Sequence, residues 1–193
     1  MAALEPDAKK EDETAMKKTV LTFGLISGLI VTVLMLGALP LESRISEKSA
    51  YFLGYTTIVL STLLIFFGVR SYRENVAGGR LTFGKGFAVG ILIALVASAF
   101  YVATWEVVYF KFMPDFADKY AARMVERAKA SGASPEQIEK KTREAADFKR
   151  IYNKPMVNIA FTFLEVFPVG LGVTLLSAAI LRRKEPNLAA AQG

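Results

Sequence analysis

The architecture turns on RLTFGKGFAVGILIALVASAFYVATWEVVYFKFMP, residues 80–114. Between Gly86 and Phe110 only Glu106 is charged. At about 1.5 Å of rise per residue, a helix of that length crosses a hydrocarbon layer of about 30 Å. Arg80 and Lys85 stand before it, and Tyr101, Trp105, Tyr109, Phe110 and Phe112 close it. Basic residues at one end and amphipathic rings at the other anchor a spanning helix at its two interfaces. Gly86, Gly90, Ala94 and Ser98 recur every four residues, so one side of this helix is nearly bare backbone. In lipid such a stripe admits a second helix at close range.

Composition agrees with a membrane setting. Of 193 residues, 53% are hydrophobic, and the mean hydropathy is positive. Cysteine and histidine are both absent. That excludes a disulfide framework, a thiol nucleophile and metal centres ligated by Cys or His, and it removes the commonest general base. No catalytic residue, cofactor site or metal site is predicted, and the expected class is not an enzyme. The formal charge of +6 does not point to nucleic acid, because the basic residues flank apolar runs. Anchoring to anionic lipid headgroups accounts for it.

Outward from the opening stretch, three more apolar runs appear. Residues 1–16 carry five acids and no apolar period, and are expected to be a disordered tail. The first span is predicted at about 19–39, with Gly24 and Gly28 as a G-x-x-x-G. It is too long for the core of a cleaved leader and no small-residue cleavage site follows, so it reads as retained. The second span is predicted at about 50–69; Thr56, Thr57, Ser61 and Thr62 can bond back to their own helix. A basic turn with Gly78 and Gly79 leads to the third span, about 86–110, and the fourth occupies about 157–181 with Gly170 and Thr174 on its small side. Residues 185–193 read as a second disordered tail.

Between the third and fourth spans lies the one sizeable polar segment. Asp115 is expected to cap a helix ending at Ser131-Gly132, and Ser134, Pro135 and Gln137 form the start of a second, with a capping box. Phe116, Tyr120, Met124 and Ala128 on one helix face Ile138, Ala145, Phe148, Ile151 and Tyr152 on the other. The result is an antiparallel hairpin over residues 115–153, expected to reach about 25 Å beyond the bilayer. Eleven basic and seven acidic residues decorate the segment from 111 to 156, the pattern of a solvated face. The fold class is therefore all-α: a four-transmembrane-helix bundle, residues 17–184, with an extramembrane helical hairpin between its third and fourth spans.

Polar residues inside the spans are the candidates for chemistry. Glu165 lies about eight residues into the fourth run, on the side of Asn158 and Thr162 and three residues before Pro168. A carboxyl at that depth is expensive and by default faces protein or trapped water. Glu106 falls at a similar but shallower level of the third span. Two such carboxyls together would hold a proton or a cation. The alternative is structural: Pro168 leaves the Leu164 carbonyl without its donor, and Glu165 answers a loosened carbonyl or a snorkelling lysine. Gly79, Gly84 and Lys85 mimic a phosphate-binding loop, but Gly86 stands where a hydroxyl should hold magnesium and no buried strand precedes it.

Three blocks, SYRENVAGGRLTFGKGF, ASGASPEQIEKKTREAADFKRIYNKP and TFLEVFPVGLGVTLLSAAILRRK, resemble the bacterial membrane family called domain of unknown function 4199. The resemblance covers about residues 17–184 and is most specific at Glu165, Phe167, Pro168 and Gly170. It implies the four-span architecture and lends weight to Glu165, and it carries no activity. The expectation is a multi-pass, non-enzymatic interaction or structural component of the bacterial inner membrane. Its partners are the lipid bilayer and a second copy or another membrane protein met through residues 115–153. Nine basic residues at Lys17-Lys18, in the turn from 70 to 85 and at Arg182-Arg183-Lys184 favour cytoplasmic termini. The rival expectation is a small carrier or channel whose path involves Glu106, Glu165, Asn158 and Thr162.

Overall fold

The structure, a computed structural model, describes residues 6–41, 44 and 46–182. They form six helices: α1 Pro6–Ala38, α2 Glu47–Asn75, α3 Phe83–Val107, α4 Phe116–Ala130, α5 Pro135–Tyr152 and α6 Pro155–Leu181. Four of them, α1, α2, α3 and α6, are long and apolar enough to cross a membrane. The two polar helices α4 and α5 stand between the third and the last of these, so the molecule is a four-span bundle with an extramembrane hairpin.

The helix ends follow local chemistry. Ser46 caps α2, its hydroxyl accepting the Ser49 N–H at 3.2 Å. Past its end, Gly78 and Gly79 turn the chain with φ of 57° and 80°, a region that side chains rarely adopt. Ser134 and Gln137 close the expected capping box at α5. Asp115 occupies the N-cap of α4 without capping it: its carboxylate pairs with Lys119, one turn on, at 2.8 Å. α3 does not stop cleanly but widens into a π-helical turn, Val108–Phe112, before Pro114 ends it. The expected N-terminal tail is corrected as well. α1 begins at Pro6, so residues 6–16 continue the first span as helix, while residues 1–5 and the tail at 185–193 lie outside the described residues.

The chain divides into two compact units, residues 102–164 and the remainder. In the larger one, α3 is the common neighbour. A Cβ placed on Gly24 of α1 would come within 2.8 Å of Val96, and one on Gly28 would overlap the Phe100 ring. Four residues along α1 match four along α3 in the same sense, as parallel helices require. Gly86 lies against Ala178, a Cβ on Gly90 would reach Thr174 at 2.8 Å, and one on Gly170 would meet Ala94 at 3.1 Å. Here steps up α3 match steps down α6, so these two are antiparallel and in register at intervals of four. Val20, Ile65, Val69, Val89 and Ile93 fill the space beside these seams.

In the smaller unit, α4 and α5 pack side by side around rings. Tyr120 and Phe148 lie 4.8 Å apart and Phe148 and Tyr152 4.9 Å apart, centroid to centroid. Ala117 and Ala128 of α4 and Ala145 of α5 are buried.

Candidate functional site

Polar side chains within a span have few partners to choose from, and each must be accounted for. In the smaller unit, Asn158 and Thr162 sit one turn apart on α6 and both are buried. The Thr162 hydroxyl donates to the Asn158 carboxamide oxygen at 3.2 Å, and the Asn158 amide reaches the Tyr152 carbonyl at 3.5 Å, the long edge of a hydrogen bond. Thus the pair ties the first turns of α6 to the last turn of α5.

Tyr152 is the hub of this unit. Its ring meets Tyr109, Phe116, Phe148 and Phe161 with centroids 4.9 to 6.1 Å away. Its hydroxyl accepts the Trp105 indole N–H at 3.0 Å. The Tyr109 hydroxyl donates to the Asn153 side chain. Large rings carrying one polar tip suit this job, because each buries its face and still satisfies its hydroxyl or N–H. One residue from Trp105, Glu106 keeps its Oε1 out of contact with solvent and without a hydrogen-bond partner. A buried carboxyl oxygen left unpaired is costly.

Glu165 belongs to the other unit and differs in kind. Asn158, Thr162 and Val166 of α6 are buried, whereas Glu165 is exposed on the surface of the chain. The expectation was protein or trapped water beside it; the side chain is exposed on this chain. Asn158 and Thr162 are brought together; Glu106 and Glu165 are assigned to separate units. Among the described residues no group of three or more His, Cys, Asp or Glu is arranged to hold a metal ion.

Two polar contacts in the bundle escape a reading of the residues alone. Ser61 and Thr62 bond back to the carbonyls of Ile58 and Val59 as expected, at 2.8 and 2.9 Å. The Ser27 hydroxyl, however, donates across helices to the Ser61 carbonyl at 2.7 Å. At another level, Asp12 of α1 accepts both the Tyr72 hydroxyl and the Lys85 ammonium. The signal for it was present: Asp12, Met16 and Val20 are spaced four apart, and Met16 and Val20 pack on the core. That pairing also disposes of the phosphate-loop likeness, since Lys85 is committed to Asp12 and Gly86 to the α6 seam. The Thr174 hydroxyl, beside Gly90, is buried with no hydrogen-bond partner.

A family model described as "Protein of unknown function (DUF4199)" matches residues 22–183 of the chain. No curated protein and no solved structure matches it.

Proposed function

Because the chain belongs to the DUF4199 family, whose function is unknown, we propose from its own geometry that it is a non-enzymatic interaction component of the bacterial inner membrane, contacting a partner protein through the α4–α5 hairpin. The observation that carries this reading is the firm packing of the hairpin. Phe116, Tyr120, Phe148 and Tyr152 pack on one another and on Tyr109 and Phe161 of the flanking helices, α5 opens on a capping box, and charges pair along and between the two helices. Arg143 pairs with Glu139 at 2.7 Å and Arg150 with Asp147 at 2.9 Å. The Lys141 ammonium bonded to Glu144 holds that carboxyl below the usual range. Such an element keeps its shape outside the bilayer, and its charged outer face can be met by a partner of complementary charge. The basic residues near the span ends support a cytoplasmic position for both termini.

The test is affinity capture from native membranes. The full chain is compared with a variant whose exposed α5 face is reversed in charge at Lys140, Arg143, Asp147 and Arg150. Loss of specific co-purifying proteins, with the helical melt unchanged, is the expected result. An unchanged capture set removes the hairpin as the contact surface.

The unpaired Oε1 of Glu106 favours a second reading, a proton or cation carrier. Purified protein in liposomes should then collapse an imposed proton or cation gradient, and Glu106→Gln should abolish the flux. No flux from the intact protein ends that reading.

A further inference from the structure

α6 carries two different stripes. Val166, Gly170, Thr174 and Ala178, each four residues from the last, are buried and face the bundle. On its other side Glu165, Pro168, Leu175 and Ala179 are exposed, and a Cβ built on Gly172 meets nothing within 4 Å. Those five positions are separated by three, four, three and four residues. That average of 3.5 is the spacing at which two helices keep one seam in contact along their length. Three of the five are Gly, Ala or Pro, so a neighbouring helix can come close.

The stripe also carries a group that lipid cannot satisfy. Glu165 is ten residues from the start of α6 and sixteen from its end, about 15 Å and about 24 Å along the axis, and so lies deep in the span. Hydrocarbon offers its carboxyl no partner. Among the described residues, no other ionisable side chain is exposed in the central part of any of the four spans. A second copy brings a hydrogen-bonding group of the same kind to that depth. Copies inserted in the same direction are related by an axis along the membrane normal, so each residue meets its counterpart at its own level.

We propose that two copies of the chain associate through the outward stripe of α6, with their Glu165 carboxyl groups hydrogen-bonded to each other across the interface. Two ionised carboxylates cannot share so dry a place. At least one proton is retained, and the O–H of one group donates to the oxygen of the other. The pair exists only when both copies are present, so the dimer creates a proton-holding site that neither chain has alone. This contact is independent of the hairpin.

The chain lacks cysteine, which makes the test direct. Single substitutions Gly172→Cys and Ala179→Cys, made in the full-length protein in liposomes and oxidised, should yield a disulfide-linked dimer. Thr174→Cys, on the buried side of α6, and Leu60→Cys, exposed on α2, should not. The dimer should persist as lipid is added in excess. In the Gly172→Cys background, Glu165→Gln should keep the crosslink, because paired amides can replace paired carboxyls, and Glu165→Leu should lose most of it. Equal crosslinking from Leu60→Cys, or none from Gly172→Cys and Ala179→Cys, overturns the interface. An undiminished crosslink in Glu165→Leu overturns the carboxyl pair. Should that variant fail to insert, the four-position cysteine scan decides the interface without it.

Discussion

The seams of α3 in the bundle and the ring cluster around Tyr152 solve the same packing problem with opposite materials. Along α3, contact is made by subtraction: Gly86 and Gly90 remove side chains so that Ala178 and Thr174 can approach. Around Tyr152, contact is made by addition, with four rings and an indole N–H filling the space. The difference follows the solvent. Between spans there is little hydrophobic gain in leaving lipid, so close van der Waals contact between backbones must hold the helices together. The ring cluster joins the hairpin to the adjoining ends of α3 and α6, where amphipathic rings reach the polar interface and burying aromatic area is itself a driving force.

If the two regions differ in this way, they should fail differently. The largest loss is expected for Tyr152→Ala, about 3–5 kcal/mol, because the hub ring and its hydrogen bond both disappear. Trp105 is the single tryptophan, so its emission reports the change; an unaltered spectrum and melt would mean the rings are not the core of that unit. In the bundle the opposite change should do harm. Gly28→Ala adds a methyl where the Phe100 ring already lies and should cost about 1–3 kcal/mol in a detergent melt, with Trp105 emission little changed. Thr174→Val keeps the shape and deletes a buried hydroxyl that has no partner, so it should raise stability, by up to about 1 kcal/mol. A loss instead would show that the hydroxyl is satisfied in the membrane. Gly54→Ala should change the melt by less than about 0.5 kcal/mol, since nothing lies within 4 Å of the added methyl. If Gly54→Ala and Gly28→Ala cost the same, glycine matters through helix propensity and not through contact.

Residue by residue, the architecture was more legible than the polar sites. Hydropathy exposed four spans because a helix that crosses lipid must be apolar over its whole length. The capping box at Ser134 and the glycine turn at 78–79 were legible because they are local, set by residues within a few positions of one another. Helix at residues 6–16 was missed because charge without apolar period reads as disorder, yet the Asp12 pairing with Tyr72 and Lys85 ties that segment to two other helices. Asp115 reads as a cap by its type, yet Lys119, four residues on, holds its carboxylate instead.

Composition and spacing were enough to establish the number of crossings, the intervening hairpin and the small-residue stripes, since each depends on a chain solvating or capping itself. Which stripe meets which helix was settled only by folding: Gly24 and Gly28 against Val96 and Phe100, Gly90 against Thr174, and Glu165 turned outward while Thr162, three residues earlier, turned in. A single helix has no preferred inside. Its faces acquire one only when neighbours occupy the space around it, and that choice is made among distant segments of the chain.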